Sequence, residues 1–321
     1  GVSSAASDVY KRQDVDSIKD YATLNDALQT IKEGEGKSVY PMQLAQGSTF
    51  NGFFNNYDGL ASGLQPIGVK YDDASRKVVC TLEQDDIMDG LNWLHKWYQD
   101  GIINPDANVV TDGGKGSIFG SAQGWPAAAT TWAFNQGIEK YDLTQVFGPL
   151  YTTETIQGSM NAISANSKYK TEALKVLQLM NTDPKFRDMC AYGTEGNYME
   201  YAEDGTVQKL RDDWNWPSYT QGTFFILSTQ ADGDPDAWNQ VKEQNASATS
   251  STCLGFALDV TNIQNEIANC NTVWDKYKND LLTGASDPAT AVPACIEELK
   301  AAGLDTVIEE AQKQVDEFFA N

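Results

Sequence analysis

The sequence predicts an α/β chain whose C-terminal section is mainly helical. Segments with the alternating pattern of strands are interspersed with segments of helical spacing, and beyond Asp236 nearly every signal is helical. At 321 residues the chain is long enough for two lobes of ordinary size. No apolar stretch approaches the roughly 20 residues that a membrane-spanning helix needs.

The first part of the chain predicts a helix, a short strand, a hairpin and a second helix. The segment YATLNDALQTIKEG has apolar residues at helical spacing, with Thr23 as the predicted N-cap and Gly34 as the stop. VYPMQLA predicts a short strand, and GVKYDDASRKVVCTL alternates on both sides of DDAS, which predicts a β-hairpin. QDDIMDGLNWLHKWYQDG predicts a helix that ends at Gly101.

The later part of the chain predicts further alternation and then helices. GSMNAISANSKYKTEALKVLQLMNTDPKFRDMCAYGTEG predicts a strand, a turn, a helix, a break and a second helix opened by Pro184. NYMEYAEDGTVQKL predicts a second hairpin that turns at Asp204 and Gly205. The last segment, AVPACIEELKAAGLDTVIEEAQKQVDEFF, has helical periodicity throughout.

Charge and cysteine content exclude several classes of protein. Forty-five acidic residues against 23 basic ones give a net charge of −22, which repels phosphate backbones and anionic lipid surfaces, so nucleic acid is not an expected partner. The five cysteines are widely spaced and form no C-x-x-C pair, which argues against a zinc knuckle or a full disulfide framework. Unpaired cysteines suit either an intracellular protein or an exported protein of an anaerobe.

The sequence offers little catalytic or metal-binding chemistry. His95 is the single histidine, so neither a Ser-His-Asp triad nor a multi-histidine metal site is expected. In DGDPDAWNQVKE, four carboxylates have EF-hand spacing, but Ala237 stands where the loop needs glycine. A capped helix start explains these residues more simply, so we expect no metal and no cofactor. A glycoside hydrolase stays open as an alternative, because the separation of its two carboxylates is spatial.

The segment GSIFGSAQGWPAAATTWAF contains the most informative aromatic residue. Trp125 follows Gly124 and precedes Pro126, so the chain cannot continue a regular helix there and must present the indole from a turn. An indole face stacks on the apolar face of a sugar ring, and small-molecule clefts combine such rings with a few polar groups. Other tryptophans lie in helical patterns and are predicted to pack in the core: Trp93, Trp97 and Trp238.

The order of these motifs resembles the extracellular solute-binding proteins of ABC importers, specifically the lipoprotein group that includes maltodextrin-type binders. The resemblance covers about Asp14 to Asn321 and is clearest in YATLNDALQTIKEG, HKWYQDGIINPDA and GSMNAISANSKYKTEALKVLQLMNTDP. The tail from LGFALDV onward is similar to the C-terminal domain of one Gram-positive lipoprotein subgroup. The resemblance implies a two-lobe, type II periplasmic-binding-protein-like fold whose α/β lobes close around a ligand.

The resemblance also implies a domain organisation. Residues 1–13 are small, polar and unpatterned and are interpreted as a non-native leader; residues 14–145 form the second lobe. Residues 146–230 return into an incomplete first lobe, and residues 231–321 form a mainly helical C-terminal section that packs on the lobes. The lipobox and the opening strands of the first lobe are expected upstream. A sheet edge and an apolar face should then be exposed between Gly158 and Tyr192.

Ligand-binding residues are carried over from the resemblance position by position. Trp125 occupies the place of a stacking tryptophan in the GPW-like loop of the family, with Trp132 packed behind it. Gln46 and Ser48 fall where maltodextrin binders carry a glutamate and a tyrosine, which argues against maltodextrin itself. Trp274 matches another stacking position, although its helical pattern fits core packing equally well.

A further set lies in YGTEGNYMEY, a segment typical of the subgroup. Glu195, Asn197 and Tyr198 follow a glycine turn and either face the ligand or form a structural clasp. The function implied is that of a monomeric extracellular lipoprotein that captures a solute, most simply an oligosaccharide, and delivers it to membrane permease subunits. A binder of peptides or another polar solute is the alternative cargo class.

Overall fold

The computed structural model describes residues 15–112, 118–126, 128, 132, 141–211, 213–231 and 233–320. They form two compact units. Unit 1 comprises the described residues within Gly1–Gln123, Gln136–Glu154 and Thr249–Asn321. Unit 2 comprises those within Gly124–Asn135 and Thr155–Ala248.

The helices and strands alternate along the chain as predicted. In chain order the helices whose bounds lie within the described ranges are α1 (Tyr21–Glu35), α2 (Asp85–Gln99), α3 (Thr153–Ile156), α4 (Lys170–Thr182), α5 (Pro184–Tyr192), α6 (Ala237–Ala246), α7 (Gln264–Leu282), α8 (Pro288–Ala302) and α9 (Leu304–Phe319). The strands are β1 (Tyr57–Asp58), β2 (Ile67–Lys70), β3 (Val78–Cys80), β4 (Leu150–Tyr151), β5 (Met199–Tyr201), β6 (Val207–Lys209) and β7 (Thr249–Ser250).

Helix α1 begins with a capping box one turn earlier than predicted. The carboxylate of Asp20 accepts the Thr23 backbone N–H at 2.8 Å, and the Thr23 hydroxyl accepts the Asp20 N–H at 3.1 Å. Thr23 is therefore inside the helix and Asp20 is the N-cap. The helix continues through Gly34 and ends before Gly36, whose φ of 89° favours glycine.

Strands β1, β2 and β3 form an antiparallel sheet in unit 1, and the β2–β3 pair is the predicted hairpin. The predicted strand in VYPMQLA is reduced to Met42, which pairs in parallel with both Ile103 and Phe119. The Met42 N–H donates to the carbonyl of Ile102 at 3.1 Å. Parallel pairing of segments that follow helices is typical of an α/β layer.

The C-terminal helices belong to the core of unit 1. Buried residues from α1, α2, β2, β3 and α7–α9 form one contiguous apolar cluster. Between α7 and α8, Gly284 has φ of +80°, and a Cβ there would lie 2.2 Å from the carbonyl oxygen of Leu94 on α2. The His95 ring nitrogen Nδ1 donates to the Gly284 carbonyl at 2.8 Å. His95 therefore has a structural partner in this contact.

The two units differ from the predicted boundaries in three respects, of which the first is that the described residues within Gly124–Asn135 belong to unit 2. The predicted C-terminal section is divided, because residues before Thr249 belong to unit 2 and the rest to unit 1. The chain leaves unit 1 a second time after Glu154 and returns at Thr249. Strands β4 and β7, which adjoin these two passages, pair in parallel within unit 1.

Unit 2 contains α4, α5, the β5–β6 hairpin and α6. The predicted helices and hairpin are confirmed, with β5 and β6 antiparallel. The predicted strand after Gly158 is absent: residues 157–169 have no strand, and Met160 is 73% exposed. A strand needs a hydrogen-bonding neighbour, and no described segment supplies one here.

Large apolar side chains are exposed in the same region of unit 2, but the sheet edge expected there is not formed, because residues 157–192 contain no strand. These side chains lie on α3, α4, α5 and the segment between α3 and α4: Ile156, Met160, Tyr169, Leu174, Val176, Leu179 and Met189. Within the described ranges, no helix is long and apolar enough to cross a bilayer.

The first prediction concerns thiol reactivity. All five cysteines are unpaired, and burial raises the pKa of Cys80, Cys253 and Cys270 to about 11 and that of Cys295 to about 12. Cys190 is half-buried, and its pKa is also raised by burial. Because a raised pKa lowers the thiolate fraction, native protein at pH 8 should react with an aromatic disulfide reagent slowly and first at Cys190. Rapid modification of a second thiol before unfolding would contradict this.

The second prediction concerns Gly284. A change to alanine should destabilise unit 1 by about 1–2 kcal/mol through left-handed backbone strain and by roughly 1–3 kcal/mol more through the clash with α2. Gly36→Ala is the matched control, since Gly36 also has positive φ but no atom within 4 Å of its Cβ position. Urea unfolding followed by tryptophan fluorescence should separate the two variants. Equal losses would show that the close approach is unimportant.

Candidate functional site

The predicted ligand-binding residues are divided between the two units. Unit 1 contains Gln46, Ser48 and Trp274, and unit 2 contains Trp125, Glu195, Asn197 and Tyr198. The predicted boundaries place Trp125 in the same lobe as Gln46 and Ser48, and the structure differs on this point. Local contacts assign the segment that begins at Gly124 to unit 2.

Gln46 and Ser48 are exposed on a tight turn of unit 1. Ala45 and Ser48 exchange both backbone hydrogen bonds, at 3.2 and 3.0 Å. The Gln46 N–H donates to the Val110 carbonyl at 2.9 Å, and its side-chain amide donates to the Asn108 carbonyl at 2.9 Å. The Gln46 amide oxygen and the Ser48 hydroxyl are the groups that this turn can offer to a polar ligand.

A buried asparagine holds this turn in place. The Asn104 amide oxygen accepts the Leu44 N–H at 2.8 Å, and the amide nitrogen donates to the Leu44 carbonyl at 3.1 Å. The same nitrogen donates to the Asp106 carboxylate at 2.8 Å. Asn104 thereby replaces a neighbouring strand as the partner of Leu44 and fixes the start of the Gln46 turn.

The loop that carries Asn104 is itself anchored on the C-terminal helices. The Asn108 amide donates to the carboxylate of Asp280 on α7 at 2.8 Å. Asn108, which directly follows the segment HKWYQDGIINPDA, therefore connects α7 to the turn of Gln46. Sequence reasoning missed Asn104, although an asparagine directly before Pro105 is a signal of a turn that uses its side chain.

Trp125 is partly exposed in unit 2, as expected. Its ring centroid lies 6.0 Å from that of Trp132 at an interplanar angle of 75°, so Trp132 packs edge-to-face against it. A Cβ on Gly124 would lie 3.2 Å from the Trp132 ring, so the two residues approach closely. The Ala128 N–H donates to the Trp125 carbonyl at 2.8 Å and closes the turn that presents the indole.

Trp274 is buried, which corrects its proposed role in stacking. Its side chain is 3% exposed and belongs to the unit 1 core. The indole N–H donates to the Gln65 side-chain oxygen at 3.2 Å, and the Phe54 ring lies against it at 6.1 Å. Because α7 directs this residue inward, Trp274 has no free indole face for a sugar, and core packing is its structural role.

Tyr198 closes a packed corner, whereas Glu195 and Asn197 are exposed. The Tyr198 ring lies 5.2 Å from that of Trp214, and the guanidinium of Arg211 lies 4.7 Å from its centroid. A Cβ on Gly193 would lie 2.5 Å from the Cβ of Tyr198. These contacts favour the clasp interpretation for Tyr198.

Two buried charges on α5 organise a loop of unit 2 that the sequence analysis missed. Arg187 is fully buried and donates to the carbonyls of Thr223 and Ser218, each at 2.9 Å. Asp188 accepts the backbone N–H and the hydroxyl of Ser228 at 2.8 and 2.7 Å. Burial lowers the pKa of Arg187. The loop between residues 218 and 228 is thus tied to α5 by both charges.

No sequence signal identifies this arrangement. Arg187 and Asp188 face inward on α5, whereas Met189 is 40% exposed, which is the reverse of the usual binary pattern. The reversal is stable because each buried charge has hydrogen-bonding partners in the loop.

The third prediction tests the Asn104 contact. Asn104→Ala should cost about 1–3 kcal/mol in the free energy of unfolding, because it leaves buried backbone groups of Leu44 without partners. Asn108→Ala, which removes one half-buried side-chain contact, should cost less. Hydrogen exchange should report faster opening of the Leu44 amide in the first variant alone. Unchanged protection of that amide would refute the role of Asn104.

The chain is similar to known solute-binding proteins over almost its whole length. Residues 252–320 match a family described as a domain of unknown function, DUF3502. A carbohydrate ABC transporter substrate-binding protein of Streptococcus pneumoniae serotype 4 (strain ATCC BAA-334 / TIGR4) is 28% identical over 323 aligned residues. The alignment covers 96% of this chain, and the chain spans 64% of the length of that relative.

Solved structures extend the similarity to the fold. The N-glycan transport solute-binding protein NgtS from Streptococcus pneumoniae superimposes with a TM-score of 0.83 at 26% identity, covering 98% of this chain and 71% of that one. Its complex with Man1GlcNAc gives a TM-score of 0.80 at 25% identity, covering 98% and 72%. These similarities confirm the predicted resemblance: the chain has the α/β fold of type II solute-binding proteins and is similar to the carbohydrate substrate-binding proteins of ABC transporters.

Proposed function

We propose that this chain is part of the extracellular substrate-binding component of an ABC importer and that its cargo is an oligosaccharide. The observation that carries the proposal is the similarity to a carbohydrate ABC transporter substrate-binding protein across 96% of the chain. The similarity of fold to NgtS, whose structures include a complex with Man1GlcNAc, supports the same ligand class.

In unit 2 we assign Trp125 as the aromatic platform. An indole gives a sugar ring a flat apolar surface at low cost in conformational entropy, and Trp125 is partly exposed on a turn braced by Trp132.

In unit 1 we assign Gln46 and Ser48 as hydrogen-bonding groups for sugar hydroxyls. Their turn is fixed before any ligand arrives, which lowers the entropic cost of binding. Glu195 and Asn197 are proposed as further polar contacts of unit 2.

The protein is proposed to bind its ligand without turnover and to need no cofactor. It would work as a monomeric lipoprotein at the outer surface of the cell and pass the bound solute to membrane permease subunits. Support comes from the relatives, which are named as transport and solute-binding proteins.

An assay of product formation tests this proposal against a glycoside hydrolase. The protein is incubated with a high-mannose oligosaccharide, and both its melting temperature and the release of reducing ends are measured. A ligand that binds only the folded state raises the melting temperature by mass action, and we expect this rise without cleavage. Catalytic release of reducing ends would overturn the proposal in favour of an enzyme with paired carboxylates.

The fourth prediction separates the ligand-stacking role from core packing. Trp125→Ala should weaken oligosaccharide binding by about 1–3 kcal/mol, or roughly 5- to 150-fold in Kd, because it removes an aromatic anchor. Its unfolding free energy without ligand should change little. Calorimetric titration and urea unfolding measure the two effects.

Trp274→Ala is the matched control for Trp125→Ala. Removing this buried indole should cost about 3–5 kcal/mol of stability, since it leaves a cavity in the unit 1 core. If Trp125→Ala unfolds the protein, or binds oligosaccharide as tightly as the parent chain, the stacking role is wrong.

A further inference from the structure

Unit 2 contains an open cavity of about 430 Å³ that shares no residue with the ligand site assigned above. Its walls are the turn of the β5–β6 hairpin, the loop before residue 230 and the first turns of α6. The side chains that matter for its chemistry are those of Asp204, Thr206, Phe225, Trp238, Asn239 and Lys242. The volume lies in the range of roughly 300–1,000 Å³ that is typical of small-molecule sites.

One wall of this cavity is aromatic. Phe225 is 42% exposed, and the Lys242 ammonium lies 5.2 Å from its ring centroid. Trp238 is half-buried, and its ring stacks on that of Phe224 at 4.9 Å with an interplanar angle of 21°. The stacked pair holds Trp238 in one orientation, while Phe225 offers an apolar surface to a ligand.

Hydrogen-bond donors and acceptors surround this aromatic wall. One oxygen of the Asp204 carboxylate accepts the Thr206 N–H and hydroxyl, at 2.9 and 2.7 Å. The Asn239 amide nitrogen donates to Asp236 at 2.8 Å, which leaves the amide oxygen as an acceptor. The Lys242 ammonium is exposed and, among the described residues, has no carboxylate within 4.0 Å. The cavity thus offers hydrogen-bond donors and acceptors together.

The walls are fixed by contacts within unit 2. Ser228, which lines the cavity, is bound through its N–H and hydroxyl to the buried carboxylate of Asp188. The Val207 N–H donates to the Thr229 carbonyl at 2.8 Å, and the Ala231 N–H donates to the Val207 carbonyl at 2.9 Å. The loop therefore continues the hairpin as a further paired segment, held by backbone hydrogen bonds within unit 2.

We propose that this cavity is a second carbohydrate-binding site, which takes one pyranose ring. A pyranose has an apolar C–H face that suits Phe225 and hydroxyl groups that both donate to carboxylate or amide oxygens and accept from an ammonium. A phosphorylated or strongly anionic ligand is disfavoured by Asp204 and by a chain of net charge −22. The site is independent of the oligosaccharide site proposed above, so either can exist without the other.

The fifth prediction is tested by fluorine NMR on the whole chain labelled with 5-fluorotryptophan. The Trp238 resonance is identified by its loss in Trp238→Phe, and the parent chain is titrated with methyl α-mannopyranoside, N-acetylglucosamine and, as a non-sugar probe, glycylglycine. One of the sugars should shift the Trp238 resonance to saturation with a Kd on the order of 1 mM, as befits a small ligand. Phe225→Ala and Lys242→Ala should each raise that Kd about 10-fold.

Two matched variants complete this test. Tyr219→Ala removes an aromatic ring that is 72% exposed on the same loop but does not line the cavity, and Trp125→Ala removes the platform of the other site. Neither should change the Kd measured at Trp238. The proposal is overturned if neither sugar moves this resonance, if the shift is unchanged in Phe225→Ala and Lys242→Ala, or if only glycylglycine produces it. If the parent chain does not bind the oligosaccharide but a sugar still shifts the Trp238 resonance, the proposed function is refuted and the second site is not.

Discussion

The architecture of unit 1 depends on the approach of Gly284 to the backbone of helix α2. A Cβ at this position would lie 2.2 Å from the Leu94 carbonyl oxygen. Any residue other than glycine would therefore prevent the connection between α7 and α8 from approaching α2 this closely. His95 adds a hydrogen bond to the Gly284 carbonyl, which requires the proton on Nδ1. The single histidine thereby acts in packing. Through this contact α7, α8 and α9 complete the hydrophobic core of unit 1.

The same C-terminal helices support the proposed ligand-binding turn of unit 1. Asp280 on α7 binds Asn108, the Asn108 carbonyl accepts the Gln46 amide, and Asn104 holds Leu44 at the start of the turn. Polar ligands are bound best by groups that are already in position, because less conformational entropy is then lost on binding. The segment after α2 that contains Asn104 and Asn108 thus links the packing of α7 to the geometry of the proposed site.

Unit 2 uses buried charge for a similar purpose. Arg187 and Asp188 are adjacent on α5, yet each bonds the 218–228 loop. Desolvation makes such residues costly, and the cost is offset by hydrogen bonds to backbone groups that would otherwise be unpaired. The loop that they order carries Phe225 and adjoins the second cavity. Preorganisation of loops is therefore a common feature of the sites proposed in the two units, although the chemistry of the restraint differs.

Features that depend on near neighbours could be predicted from the amino-acid sequence alone. Helix periodicity, the turns of both hairpins, the helical tail and the presentation of Trp125 from a turn follow from interactions over a few residues, and the structure contains all of them. The packing partner of each segment could not be predicted in this way and is seen only in the folded chain. Trp274 is buried because α7 packs inward, the segment after Gly158 forms no strand because no described neighbour pairs with it, and Trp125 lies in a different unit from Gln46. These outcomes depend on contacts between residues far apart in sequence, which local patterns do not encode.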